Sequence, residues 1–324
     1  AIAFIGTDQP HDMSLASNKV FTLAVVLAIY WLATFISLKG LGWVGKISKW
    51  GGMIGTIIPA ALLIILGIVY LATGGHNNMD MSQSFWPDLT KLDNLVLASG
   101  IFLFYAGMEM MGIHVMEVNN PGKNYPKAII MGSLMTVAIF VLGTFSLGLI
   151  IPAKDINLTQ SLLIGFDNYF KYLHASWASP IIAIALMVGV LAGVLTWVAG
   201  PSKGIYAVGK AGYLPPFFQK SNNNGVQRNI LLVQGGLVTL LSLLFVVMPS
   251  VQSFYQILSQ LTVLLYLIMY MLMFAAAIAL RYKMKGAVRP FRLGRGNALM
   301  WLIAGVGFAG SLLAFSLSFI PPSQ

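Results

Sequence analysis

Charged residues punctuate this chain at long intervals, and the windows between them have the length of membrane spans. Lys19 and Lys39 bracket one uncharged run, Lys49 and His76 a second, Lys127 and Lys154 a fourth, His174 and Lys203 a fifth. The third, 94–114, carries Glu109 and ends on His114. Arg228 and Arg281 enclose a run that as one helix would reach ~78 Å, far beyond a hydrocarbon core of ~30 Å. Met248-Pro249-Ser250 therefore divides it into two helices. Residues after Arg295 supply the last span. The pattern predicts an all-α polytopic membrane protein with eight transmembrane helices, near 19–38, 50–73, 94–114, 128–151, 177–200, 229–248, 253–280 and 298–320. Residues 1–324 are read as a single transmembrane domain, with Pro59 a candidate kink in the second span and Gly200-Pro201 expected to end or kink the fifth helix.

Eight spans make the connections alternate in side. One set holds Lys39, Lys46, Lys49, Lys123, Lys127, Lys203, Lys210, Lys220, Arg228, Arg281, Lys283, Lys285, Arg289, Arg292 and Arg295. The other holds only Lys19, Lys91, Lys154 and Lys171. The positive-inside rule assigns the first set to the cytoplasm. The net charge of +10 is thus a topological signal and does not point to nucleic acid. Trp43, Trp50, Trp86, Trp177 and Trp301 fall near span ends, as belt aromatics do.

Composition agrees. The chain is 58% hydrophobic and 9% charged, against roughly a quarter charged in soluble domains. Cysteine is absent, which removes disulfides, thiolate metal sites and a cysteine nucleophile. The four histidines are scattered, so no metal and no cofactor is expected. No cleavable leader is visible at the start. The chain opens on Ala1 rather than Met, and the expectation is that it is a piece of a longer protein.

The third span concentrates the candidate chemistry. A carboxylate at membrane depth costs about 3 kcal/mol and marks a functional site by default. Gly107 and Gly112 flank Glu109. They either let the helix open toward a ligand or permit close packing, with Glu109 a hydrogen-bonded structural acid. Trp197 lies deeper than a belt residue, as a packed aromatic or a path-lining one. Tyr266 and Tyr270 share one helix face by their spacing. An enzyme using Glu109 and His114 as acid and base is disfavoured: their separation along a helix does not align them, and no nucleophile accompanies them.

Taken in order, several segments resemble the amino acid/polyamine/organocation transporter superfamily, and more closely its bacterial glutamate/GABA antiporters of acid resistance. They are Tyr105-Ala-Gly-Met-Glu109, His114-Val-Met-Glu-Val-Asn-Asn-Pro-Gly-Lys-Asn-Tyr-Pro126, Gly189-Val-Leu-Ala, Trp197-Val-Ala-Gly-Pro-Ser-Lys-Gly-Ile-Tyr206, Leu214-Pro, Asn224-Gly-Val226, Leu261-Thr-Val, Tyr266 with Tyr270, and Ser318-Phe-Ile-Pro-Pro322. The family has twelve helices in a five-plus-five inverted repeat of the LeuT-like type, and the eight spans correspond to its fourth through eleventh. The resemblance implies a secondary active antiporter in the bacterial inner membrane, exchanging a glutamate-like amino acid for its decarboxylated, GABA-like amine. Alternatives are a transporter of a different amino acid or a non-transporting membrane subunit or sensor. By resemblance, the backbone of Leu103, Phe104, Tyr105, Ala106 and Gly107 would hold the substrate's amino and carboxyl groups. Glu109 would be the gating or proton-coupling acid, and Trp197, Tyr266 and Tyr270 would line the inner path. Close relatives carry a glutamate where this chain has Gly193, which puts the side-chain preference in question. Expected partners are a small-molecule amino acid and the lipid bilayer, with a homodimer left open.

Overall fold

The computed structural model describes residues 18–79, 88, 90–91, 94–95, 98, 101, 105–157, 160–292, 294 and 296–320, with backbone only for Leu41, Met111, His114, Met116 and Glu117. Leu103, Phe104 and Trp86 lie outside the described residues. The helices are α1 (Lys19–Leu38), α2 (Leu41–Gly52), α3 (Ile58–Ala72), α4 (Pro121–Ile150), α5 (Ser161–Tyr172), α6 (Ser179–Val208), α7 (Arg228–Leu243), α8 (Val251–Lys283) and α9 (Ala298–Leu317). Seven helical stretches among the described residues are long and apolar enough to cross a membrane: Lys19–Leu38, Gly42–Ala72, Pro121–Ile150, Ser176–Tyr213, Arg228–Val246, Val251–Lys283 and Ala298–Leu317. Of the span expected at 94–114, residues 94–95, 98, 101 and 105–114 are described, and its end is a turn at 105–107 followed by a 3-10 helix, Met108–Glu117.

Several boundaries differ from the sequence reading. The connection expected at 39–49 is mostly helix, because α2 runs through a single turn of π-helix, Met53–Ile57, into α3. Pro59, at the start of α3, explains that turn: its ring crowds the carbonyl four residues back and it donates no N–H, so the helix loosens there. Gly200-Pro201 does not end its helix, and α6 continues to Val208. The Ser202 hydroxyl donates to the Ala199 carbonyl at 2.9 Å, satisfying an acceptor beside the proline. Several basic residues read as loop residues lie on helix ends: Lys46 and Lys49 on α2, Lys123 and Lys127 on α4, and Lys203 on α6. A helix of thirty residues is ~45 Å long, so its charged end clears a core of ~30 Å. The break at Pro249 is present, between α7 with its short 3-10 extension Leu244–Val246 and α8.

The chain divides into two compact units. The first comprises Ala1–Met79 and Ala138–Phe254. Its tightest packing is a glycine crossing. A Cβ placed on Gly55 would run into the backbone of Gly189 and the carbonyl of Ala185, and one on Gly51 into the Ala192 side chain. Such small-residue faces let membrane helices approach closely when the hydrophobic effect no longer drives association. A second cluster joins Leu63, Leu66 and Tyr70 of α3 to Phe166, Tyr169 and Phe170 of α5. Tyr169 is fully buried and donates its hydroxyl to the Ser146 carbonyl. Burial, with Tyr70 beside it, pushes that hydroxyl up to about 12, so it stays a donor. Asp167, also buried, accepts from Ser179 Oγ at 2.7 Å and pairs with Lys171 Nζ at 2.6 Å.

The second unit comprises Asp80–Val137 and Tyr255–Gln324. Val263 and Leu267 of α8 pack on Ala314 of α9. Arg281 and Arg289 act as clasps at the end of α8. Arg281 reaches Asn297 Oδ1 at 3.1 Å and the Gly296 carbonyl at 3.0 Å, while Arg289 caps the carbonyls of Leu280 and Met284. Lys285 follows this end in an exposed turn. The charge count predicts it on the cytoplasmic face. Lys285→Cys in this cysteine-free chain should react with an impermeant thiol reagent only after cells are opened; labelling of intact cells would invert the assigned orientation.

Candidate functional site

Gly107 is the pivot of the site. It sits at φ +105°, ψ −7°, in the left-handed region open to glycine. That conformation ends the turn at 105–107 and launches the 3-10 helix Met108–Glu117. Of the two readings of the glycines around Glu109, opening of the helix matches residues 105–107, which form a turn before the 3-10 helix begins at Met108.

The reversal aims the Gly107 N–H at two acceptors. It donates to Glu109 Oε2 at 3.2 Å and toward Tyr270 Oη at 3.3 Å. Tyr270 in turn donates its hydroxyl to Glu109 Oε2 at 2.9 Å. Thus a backbone amide, a carboxylate and a phenol close into one network within the second unit. The other carboxylate oxygen, Oε1, is buried and has no hydrogen-bond partner among the described residues. An unsatisfied buried acceptor of this kind costs about 1–3 kcal/mol, which leaves room at Oε1 for a further hydrogen-bond donor.

Aromatic side chains surround the network. The Tyr266 ring lies 5.7 Å from Tyr270, tilted by 58°. Phe274 follows at 6.5 Å from Tyr270. Successive positions four apart on α8 thus present one aromatic stripe, as the spacing of Tyr266 and Tyr270 required. The Tyr125 hydroxyl on α4 lies 3.5 Å from where a Cβ at Gly112 would stand, so Gly112 opens room beside the tyrosine. Ser133 Oγ points at Met108 Sδ at 3.5 Å.

The structure thus brings together Gly107, Glu109, Tyr266 and Tyr270 from the predicted set, with Tyr105 and Ala106 in the adjoining turn. Leu103 and Phe104 lie outside the described residues. Trp197 and Gly193 belong to α6 in the first unit. Trp197 is about half exposed, and a Cβ built on Gly193 meets nothing within 4 Å. Tyr125 has no separate role in the sequence reading; only its place in the segment His114–Pro126 marks it. The direct bond between Tyr270 and Glu109 was also missed, because partners 161 positions apart leave no local pattern.

Leucine at Gly107 would place a Cβ in a conformation that costs an L-residue roughly 1–2 kcal/mol and would occupy the ground beside the amide. Gly107→Leu is expected to abolish saturable substrate binding by the complete protein, read by ligand-induced thermal shift. A shift equal to wild type would exclude the turn from the site.

Comparison with known proteins places this geometry in a family context. The amino acid permease family profile matches residues 1–324. An uncharacterized transporter of Legionella pneumophila is 33% identical over 315 residues, 97% of this chain and 67% of that protein. The glutamate/gamma-aminobutyrate antiporter of Lactococcus lactis subsp. lactis is 32% identical over 316 residues, 96% of this chain and 63% of that protein. A probable agmatine/putrescine antiporter of the same organism is 25% identical, covering 93% of this chain and 64% of that protein. The chain spans about two thirds of the length of these relatives.

Proposed function

This chain belongs to the amino acid permease family, and from that premise we propose that the complete protein is a secondary antiporter exchanging a glutamate-like amino acid for its decarboxylated, GABA-like amine. It is a multi-pass protein of the bacterial inner membrane. The observation that carries the reading is the left-handed turn at Gly107, with its amide turned onto Glu109 and Tyr270. Non-helical backbone at membrane depth is tolerated where it is buried or lines a cavity, and interrupted helices offer free N–H and C=O groups to substrates. An α-amino acid carries one anionic and one cationic backbone group, which suits such a break. The relatives named as glutamate/gamma-aminobutyrate antiporters support this choice of substrate class. Acid resistance is the physiological role that this exchange would serve, since decarboxylation consumes a proton inside the cell and export of the amine completes the cycle.

A second reading keeps the antiport and changes the amino acid. Gly193 stands where, by resemblance, close glutamate/GABA antiporters carry a glutamate, and its surroundings leave a Cβ unopposed. Uptake of labelled amino acids by proteoliposomes of the complete protein, preloaded with unlabelled candidates, separates the two. Glutamate uptake driven by internal GABA supports the first reading. Uptake of a different amino acid against its own amine supports the second, and no counterflow with any pair overturns both.

A further inference from the structure

Lys220, Asn222, Asn223, Asn224, Arg228 and Asn229 line a cavity of about 450 Å³ in the first unit, between the end of α6 and the start of α7. Its wall is held rigidly. Asn222 Oδ1 accepts the backbone N–H groups of Asn224 and Val226, both at 3.0 Å, and its Nδ2 donates to the Leu38 carbonyl at 2.8 Å. Asn229 Nδ2 donates to the Phe217 carbonyl at 2.8 Å. Gly225, at φ +72°, makes the turn that wraps the asparagines around the space. The hydrogen bonds that shape the loop leave Lys220, Asn223 and Arg228 uncommitted.

The charge around this cavity is one-sided. No aspartate or glutamate occurs anywhere in residues 168–324. The ion pairs among the described residues are Lys91 with Asp88 and Lys171 with Asp167, so neither cavity cation is neutralised by them. Two cations and the Asn223 amide, the one amide of this lining that the loop's hydrogen bonds do not use, suit an anion with several acceptor oxygens. A guanidinium fork fits phosphate oxygens two at a time, and an ammonium beside it adds a point charge. A single carboxylate would leave most of these donors unused. By the charge asymmetry the loop lies on the cytoplasmic side, where anionic headgroups attract basic segments.

We propose that this cavity is a binding site for a phosphate-bearing anion, with Lys220 and Arg228 as its charged ligands and Asn223 as a neutral donor. An anionic phospholipid headgroup and soluble phosphate share that chemistry. The test uses the complete protein, titrated with phosphatidylglycerol and followed by native mass spectrometry, with phosphatidylcholine as reference. Wild type is expected to retain phosphatidylglycerol preferentially. Lys220→Gln combined with Arg228→Gln should weaken that retention at least tenfold. Asn223→Asp should do the same by placing a carboxylate in the cavity. Asn223 is exposed and makes none of the bonds that shape the loop, so this variant separates charge from folding. Lys283→Gln combined with Lys285→Gln, in the second unit, should leave retention unchanged. Competition by inorganic phosphate identifies a soluble ligand; its failure to compete identifies the lipid. Retention unaffected by the cavity variants, or lowered equally by the Lys283 and Lys285 changes, overturns the site.

Discussion

Glu109→Gln in the complete protein is expected to flatten the pH dependence of the proposed exchange and to slow it roughly tenfold or more. Glutamine keeps the shape and still offers an oxygen to Tyr270 and to the Gly107 amide. What it removes is the ability to gain and lose a proton. In the wild type, Oε2 is engaged by two donors while Oε1 is buried and unpartnered. A proton on Oε1 would cancel the buried charge; its loss would restore a charge that strengthens both bonds to Oε2. A hydrogen bond to a charged group contributes about 1.5–3 kcal/mol, so the two protonation states hold Tyr270 and the Gly107 turn with different strength. Tyr270→Phe removes one of those bonds and should slow exchange by a comparable factor while keeping a pH dependence, because the carboxyl remains. Initial rates of counterflow in proteoliposomes, measured from acid to neutral pH, check both. An unchanged rate and profile for Glu109→Gln would make Glu109 a structural acid and move any coupling elsewhere in the protein.

Much of this was legible in the chain because membrane insertion writes strong signals. Lys19 and Lys39 bounded a span that the structure gives as Lys19–Leu38. Pro249 divided a run too long for one helix, and the structure divides it there. Glu109 stood out because charge at membrane depth is rare. The pairing of Glu109 with Tyr270 was not legible, since nothing local reports a contact between distant helices. The helix Leu41–Gly52 was read as a connection because its lysines outweighed its helical pattern. Lysines at helix ends extend along apolar surface to reach water, so charge marks the membrane boundary rather than the helix boundary. Glycine was weighed mainly in the third span, whereas the closest packing described involves Gly51 and Gly55 with Gly189 and Ala192. One strand of the pattern was visible there, a pair of glycines four apart. Its partner surface lies more than a hundred positions away and could not be matched by inspection.

That crossing sets the other large effect. Gly55→Ala is expected to cost the protein its fold or several degrees of thermal stability, although it adds a single methyl group. The new Cβ would lie against the amide nitrogen and Cα of Gly189 and the carbonyl of Ala185, all backbone atoms that no rotamer change can move. Overpacking of a tight interior costs about 1–3 kcal/mol when side chains can yield. Here α6 itself must retreat from the Met53–Ile57 turn, and Ala192 beside Gly51 would lose its contact with it. Gly193→Ala on the same helix α6 is the internal control. Its Cβ meets nothing within 4 Å, and replacing glycine in a helix interior gains up to about 1 kcal/mol from propensity. The pair therefore predicts opposite signs for the same chemical change on one helix crossing. Thermal unfolding of the detergent-solubilised protein, followed by size-exclusion fluorescence, should show Gly55→Ala well below wild type and Gly193→Ala at or above it. Equal melting temperatures for the two variants would mean that α6 and the Met53–Ile57 turn are not in glycine-mediated contact in the membrane protein.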